Sequence, residues 1–531
     1  QLFYGEEKPI SGVLLYLEGK KGEIRLHTSD FPDWLEEKNI GVQLIADQRT
    51  NEVQLATLKA IQKDYKLLQF YNRLHSFCEG ALPNAIHTLA QYFNKSLNAA
   101  QQNAVGACMQ TDDIVIIHGP PGTGKTTTLV ELVQQLVQTG KKVLVSAPSN
   151  TAVDNIAMRL AAVQVPFLRA GNNVKVREEL IPYTIEWHIE NSNLKKTIKN
   201  MRIQSEQLRK MATQYKRNFG KDERDQRKLL LQEVKNIRKK IRRLQQDFER
   251  TSFDKHPVVL ATPIGLHDCE FQQKEYDSLI LDEAGQCLEP LTWTVVPFAK
   301  QLVLAGDPYQ LPPTVISEYA QRKGLNISLL ERVVSNNFPV HLLDTQYRME
   351  SVIAEFSNRY FYKGLLKSNH SDSDNQHIFF YDSAGAYYSE QEDEITSSLY
   401  NDEELLFVQR LITHDNLDPK QTVFITPYNG QLYKAKEQLQ YLGLQRLSTI
   451  DSFQGQEAHT IILSLVRSNN NQQIGFLKDY RRVNVAMTRA QHKLYIIGDS
   501  ITIGADAFYN QMIQYFEEIG AYHSVFEIPE L

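Results

Sequence analysis

The sequence predicts an α/β protein in which two domains with parallel sheets follow one another. A β-rich N-terminal region precedes them, and a basic helical hairpin interrupts the first. Three observations predict this. Strongly apolar strands alternate with helices twice along the chain, as they do when a parallel sheet is covered on both faces. A Gly-rich loop lies between the first of those strands and its helix. One segment combines a 4-3 apolar repeat with a large excess of Lys and Arg.

Length and composition bound the reading. The chain has 531 residues, enough for about three or four domains. Its 42% hydrophobic and 23% charged residues exclude a disordered or fibrous chain. No run reaches the ~18 apolar residues of a membrane span, so no membrane partner is expected. Cys78, Cys108, Cys269 and Cys287 are far apart with no Cys-x-x-Cys pair, which argues against a disulfide framework or zinc module. They fit a reducing interior, so a cytoplasmic location is expected, with the nucleus left open. The chain opens on Gln1 without a signal pattern, and a missing N-terminal segment is expected.

Residues 1–58 read as a small β-rich barrel, from GVLLYLEG, EIRLHTS, GVQLIAD and EVQLATL separated by turn residues. Residues 59–94 read as a helical stalk broken at Pro83. The first α/β domain spans 95–174 and 251–342, with strands in IVIIH (114–118), KVLVSAP (142–148), VPFLRAG (165–171), VVLATP (258–263), DSLILDE (277–283) and LVLAGD (302–307). The second spans 343–531, with HIFFYD (377–382), TVFITPY (422–428), TIILSLV (460–466) and KLYIIGD (493–499).

Residues 175–250 form the insertion. A net charge of −5 discourages a nucleic-acid partner, but the average conceals a segregation. From Lys195 to Arg250 there are 19 Lys and Arg against 7 Asp and Glu, a local +12 that leaves −17 elsewhere. Leu230, Val234, Ile237, Ile241, Leu244 and Phe248 repeat at 4-3-4-3-4 spacing, the seam of a coiled coil. Leu194, Ile198, Met201, Leu208 and Tyr215 match more loosely before a turn at Asn218–Gly220. The stripe is packing; the basic faces are read as a nucleic-acid surface, against the alternative of a merely solvated face.

The chemistry begins at GPPGTGKT (119–126), which fits the G-x-x-x-x-G-K-[ST] phosphate loop and stands between a predicted strand and helix. Gly119, Pro120, Pro121, Gly122, Thr123, Gly124, Lys125, Thr126 and Thr127 would line the nucleotide. Glycines let backbone N–H groups converge on phosphate, and the helix directs its positive end there. Lys125 supplies a point charge between the β- and γ-phosphates, and the Thr126 hydroxyl can ligate Mg²⁺. LILDEAGQ (279–286) ends a strand in Asp282 and Glu283. Asp282 would hold Mg²⁺ through its water shell, and Glu283 would take the proton from attacking water. A nucleoside triphosphate and Mg²⁺ are therefore expected.

NTP hydrolysis alone names no function. In order along about 400 residues, however, the chain carries LNAAQ (97–101), GPPGTGKTTT (119–128), SAPSNTAVDN (146–155), LDEAGQ (281–286), AGDPYQLPP (305–313), QYRM (346–349), TPYNGQ (426–431), TIDSFQGQEAHTIILSLVRSN (449–469) and RRVNVAMTRA (481–490). On these residues it resembles the up-frameshift-like helicases, the 5′-to-3′ branch of superfamily 1. The resemblance implies two tandem RecA-like P-loop domains and ATP-dependent 5′-to-3′ movement on single-stranded DNA or RNA, with unwinding at duplex junctions, by a monomer. It implies that Gln101 reads the adenine edge, Tyr347 stacks on the base and Glu457 lies near the ribose and phosphates. Gln310 would sense the γ-phosphate, with Arg348 and Arg489 as arginine fingers. Ser149, Asn150, Asn155, Thr262 and Pro263 would contact the strand from the first domain, and Thr426, Tyr428, Thr449 and Ser452 from the second.

The chain departs from the family in three places. Tyr309 stands where relatives commonly carry a basic residue, putting a phosphate contact there in doubt. The Cys/His-rich regulatory module of some members is absent, and the N-terminal region matches their accessory barrel only loosely. Two other functions stay open. One is an NTP-dependent clamp or ribonucleoprotein remodeller without strong unwinding; the other is a scaffold with a relic phosphate site, disfavoured because all six catalytic candidates are intact.

Overall fold

The computed structural model describes residues 1–531 except 6, 19–20, 27–31, 37–38, 44–47, 79–88, 172–175, 214–219, 270–275, 371–376, 394–396 and 530–531. Pro83, Tyr215 and the expected turn at 218–219 lie outside the described residues.

Two parallel sheets organise the chain. The first has seven strands in the order Val340–Leu342, Ile114–His118, Ala299–Gly306, Tyr276–Leu281, Val143–Ser146, Val258–Ala261 and Phe167–Arg169. Alternate residues enter opposite cores, as the period of a strand requires. Val115, Ile117 and Val145 pack with Leu129 and Leu132 of the helix Lys125–Gln138, whereas Ile116, Leu144 and Leu279 pack with Trp293 and Leu330. The second sheet has six strands in the order Leu447–Thr449, Thr422–Thr426, Ala458–Ser464, Ala490–Gly498, Ile378–Asp382 and Tyr522–Ser524. Both domains are thus doubly covered parallel α/β units. Three strands of these two sheets escape the sequence reading: Val340–Leu342, Leu447–Thr449 and Tyr522–Ser524 are three residues long, close sheet edges and lack an apolar run such as the one around Phe167–Arg169.

The N-terminal region differs from expectation. Gly12–Glu18 and Lys21–Leu26 form an antiparallel pair, and Leu2–Phe3 pairs with Gly41–Val42. EVQLATL, read as a strand, instead lies within the helix Gln48–Ile61. Its apolar residues serve a helical face: Leu58 and Ile61 pack into the first domain's core, four and seven positions beyond the buried Gln54. A second helix, Tyr65–Leu74, docks through Tyr71, whose ring lies 5.1 Å from that of Trp293. His75 and Arg332 hold Glu289 from either side at 2.7 and 2.8 Å.

The insertion consists of helices Leu194–Thr213 and Lys221–Lys255 packed on each other. Ile198, Ile237 and Ile241 are buried between them, with Met201 and Leu208 beside them. Lys239, Lys240, Arg242 and Arg243 are exposed. No helix among the described residues is long and apolar enough to cross a membrane.

Glu404 is one of the acids buried outside the cleft. It is inaccessible to solvent; its Oε2 accepts from the Ser464 hydroxyl (2.5 Å) and Val466 N–H (3.2 Å), and Oε1 has no partner among the described residues. Burial, only partly offset by those donors, pushes its pKa up to about 8. The folded state therefore keeps a proton that the unfolded chain releases near pH 4.5. Stability should fall as pH rises from about 5 to 8, by up to about 1.4 kcal/mol per pH unit. Thermal unfolding of Glu404→Gln across that window is expected to be flatter and, at pH 8, to occur at higher temperature than wild type; equal pH slopes would contradict the assignment.

Candidate active site

Parallel strands deliver their C-terminal ends to one side of a sheet, and in this chain those ends carry the phosphate loop and the acidic pair. The loop after Ile114–His118 starts with Gly119 N–H bonded to Gly306 C=O at 2.9 Å. Gly124, at φ +75°, caps the helix Lys125–Gln138 without a side-chain partner, leaving the helix's first N–H groups for an anion. A Cβ on Gly124 would lie 2.6 Å from Gln101 Nε2, so glycine is needed for the amide to approach.

Gln101 is buried, and its amide bridges two elements. Nε2 donates to Thr123 C=O at 3.0 Å, and Oε1 accepts from Asn98 N–H at 3.0 Å in a capping box. One amide hydrogen and one lone pair remain, the complement an adenine edge needs. Asn98 Nδ2 also donates to the Tyr347 hydroxyl at 2.9 Å, and Tyr347 N–H donates to Gly122 C=O at 2.9 Å. Tyr347, 41% exposed, thus stands over the phosphate loop although it belongs to the second domain.

Lys125 Nζ donates to Glu283 Oε1 at 2.7 Å and lies 3.2 Å from Asp282 Oδ1. Burial alone would depress its pKa; the two carboxylates outweigh that and hold it above the usual lysine value. Glu283 is held low, because Lys125, with Arg489 adding, overcomes its own burial. Glu283 sits at φ +51°, a left-handed conformation costly for a side chain of this size, and Gln286 fixes its second oxygen at 2.6 Å. The Thr126 hydroxyl and the Asp282 carboxylate make a pair of hard oxygen donors suited to Mg²⁺.

The second domain answers with two guanidinium groups. Arg489, 3% exposed, donates to Gln310 Oε1 at 3.3 Å, to Val485 C=O at 3.0 Å and to Gln456 C=O at 3.3 Å. Burial, reinforced by Arg348, pushes its pKa down to about 9, so an anion arriving opposite would relieve a costly charge. Arg348 donates to Glu457 Oε2 at 2.6 Å and to Thr488 C=O at 3.1 Å. Gln491 Nε2 holds the other Glu457 oxygen at 2.9 Å. The Arg348 Cβ lies 2.7 Å from where a Cβ on Gly122 would stand. Gln310 Nε2 donates to Asp307 at 3.0 Å, so this amide joins a first-domain acid to a second-domain arginine. Tyr309 turns inward, its ring 5.7 Å from those of His118 and Tyr362.

The strand-contact candidates divide. Ser149 caps the helix Asn150–Ala162, and Thr262 caps the helix beginning at Pro263; both follow neighbouring strands of the first sheet. The Asn150 and Asn155 amide oxygens accept from Arg169 and Arg177, both at 2.9 Å. Thr449 and Ser452 form an exposed turn, their hydroxyls 2.9 Å apart. Thr426 pairs with Thr449 across the second sheet but is sealed inside the domain, and Tyr428 is 3% exposed beneath Phe476. Those two side chains lie behind the candidate edge rather than on its surface. Asp307, Asn98 and Gln286 escape the sequence reading. All three lie inside recognised motifs, but nothing in the sequence distinguishes them from turn or capping residues.

A cradle for phosphate, an acidic pair and two opposing arginines across a cleft define a P-loop NTPase of two RecA-like domains. Residues 96–318 and 325–501 match two family profiles, each described as an AAA domain. The DNA polymerase alpha-associated DNA helicase A of Schizosaccharomyces pombe is 32% identical over 81% of this chain and 67% of its own. The DNA-binding protein SMUBP-2 of Mesocricetus auratus is 32% identical over 82% of this chain and 46% of its own. The regulator of nonsense transcripts 1 homolog of Drosophila melanogaster is 32% identical over 80% and 36%. The chain belongs to the up-frameshift-like family of superfamily 1 helicases. It spans two thirds or less of the length of these relatives.

Gly122, at φ +75° and against Arg348, is a sensitive point of this geometry. Gly122→Ala should weaken binding of a fluorescent ATP analogue about tenfold or more, from left-handed strain and the cross-cleft clash together. Gly140→Ala, equally left-handed (φ +79°) but in open space, should leave affinity unchanged. Equal effects of the two would mean that backbone strain alone matters.

Proposed function

We propose that this chain is an ATP-driven translocase that moves 5′ to 3′ on single-stranded DNA or RNA and unwinds duplexes at junctions. It works as a monomer, and its four free cysteines support a reducing compartment. The observation that carries the proposal is the shared cleft, with Lys125, Asp282 and Glu283 on one domain and Arg489 reaching Gln310 from the other. The polarity and the nucleic-acid substrate rest on family membership and on relatives named as a DNA helicase and a regulator of transcripts.

Phosphate oxygens compete with Glu283 and Asp282 for the Lys125 ammonium. That exchange releases Glu283 to take a proton from attacking water. Thr126 and Asp282 would hold Mg²⁺, which when bound neutralises charge on the phosphates. Arg489 and Arg348 meet the charge developing on the transferred phosphoryl group, and Gln101 and Tyr347 hold the base. Nucleotide bridging the two domains draws them together, and hydrolysis releases them. Strand contacts at the C-terminal edges of both sheets, by Ser149, Asn150, Asn155, Thr262 and Pro263 on one and Thr449 and Ser452 on the other, then alternate in grip. Thr426 and Tyr428 act behind that edge.

Lys125→Ala and Glu283→Gln should each lower single-strand-stimulated ATP hydrolysis by about a hundredfold or more. Full activity in either variant defeats the catalytic assignment. Neutralising Lys239, Lys240, Arg242 and Arg243 together should weaken strand binding and reduce its log–log salt slope by roughly 0.7 for each phosphate no longer neutralised. An unchanged slope would reassign that face to solubility. A strand-displacement assay on 5′- and 3′-tailed duplexes of DNA and of RNA separates this motor from a remodeller that hydrolyses ATP without unwinding.

A further inference from the structure

We infer that Tyr362 is a positioning residue for hydrolysis: its buried hydroxyl, on the second domain, links Asn484 to Asp307 of the first and so couples domain closure to the placement of Gln310. The inference rests on the proposed ATPase activity and deepens it.

The Asp307 carboxylate is 3% exposed and accepts four hydrogen bonds. Oδ1 takes His118 Nε2 at 3.0 Å and Tyr309 N–H at 3.0 Å. Oδ2 takes Gln310 Nε2 at 3.0 Å and the Tyr362 hydroxyl at 2.7 Å. Gln310 and Tyr362 therefore share one oxygen, and a change in one donor is felt by the other. His118 directly precedes Gly119, so the same carboxylate also steadies the base of the phosphate loop.

Tyr362 follows the helix Ser351–Phe361 and is 3% exposed. Its hydroxyl accepts from Asn484 Nδ2 at 3.1 Å, and Asn484 also donates to Tyr309 C=O at 2.9 Å. Asn484 is fully buried in the helix Tyr480–Met487, five residues before Arg489. Two routes thus run from one second-domain segment to one first-domain carboxylate: Arg489 through Gln310, and Asn484 through Tyr362. Asn484 Oδ1 has no partner among the described residues, a cost that simple packing would not retain. If the domains part, Asp307 loses its second-domain donor and Gln310 loses Arg489 in the same movement.

The alternative is that Tyr362 merely fills the interface, and steady-state kinetics separates the two. ATP hydrolysis is measured on the whole chain with saturating oligodeoxythymidine or oligouridine as the strand. Tyr362→Phe should lower kcat about tenfold, the loss expected for one buried hydrogen bond to a charged group, while KM for ATP stays within about twofold. Asn484→Ala should behave likewise, and the double variant should be no worse than the more damaged single one. Unchanged kcat, losses that multiply, or a joint fall of kcat, analogue affinity and melting temperature would each overturn the inference. If wild type hydrolyses ATP no faster with strand than without, the proposed motor activity fails and the coupling fails with it; a stimulated wild type matched by Tyr362→Phe removes the coupling alone.

Discussion

Lys125, Asp282, Glu283, Arg348 and Arg489 occupy a largely buried cleft in which any of them alone would be expensive to keep charged. Lys125 is satisfied by the acidic pair, Arg348 by Glu457. Arg489 is different: its hydrogen-bond partners are carbonyl and amide oxygens, with no carboxylate in hydrogen-bonding range among the described residues, and burial, with Arg348 adding, depresses its pKa. That imbalance is the physical basis of the proposed motor. A polyanion entering between the domains supplies the missing counter-charge, and it does so only when both domains are close enough to share it.

The folds on either side exist to hold those groups still. Lys125 sits in the first turn of a helix, Asp282 and Glu283 follow the C-terminal end of a buried strand, and Arg489 lies between the helix Tyr480–Met487 and the strand Ala490–Gly498, where rigid elements limit their freedom. The backbone is strained or crowded at the points of use. Glu283 is left-handed, and Gly122 and Gly124 allow Arg348 and Gln101 to approach distances that no side chain at those positions would permit. The basic hairpin lies outside this arrangement. Its +12 makes it a local source of positive field on an otherwise acidic chain, while its seam of Ile198, Ile237 and Ile241 makes it a separate packing unit.

How much of this could be read beforehand follows from which signals are local. Strands such as IVIIH and VVLA are apolar on both faces and announce a parallel sheet, and the loop at 119–126 carries its chemistry in consecutive residues. EVQLATL misled because alternation over seven residues also fits a helix with one buried face, and only the docking of Leu58 and Ile61 decides between them. Three of the four three-residue edge strands carry no pattern, and only Phe167–Arg169 stands in an apolar run that shows it. Thr426 and Tyr428 have side chains suited to strand contact, and only packing reveals that they are enclosed. The Asp307–Tyr362–Asn484 connection joins residues 55 and 122 positions apart, beyond any spacing rule.

The most direct measurement is a structure of the chain with a non-hydrolysable ATP analogue, Mg²⁺ and a short single strand. In it the Arg489 and Arg348 guanidinium groups should lie within about 3 Å of the terminal phosphate oxygens, and Lys125 should have moved from Glu283 to the phosphates. Domains closed on the nucleotide with both arginines still on Gln310 and Glu457, and Lys125 still on its carboxylates, would rule out the shared-cleft motor.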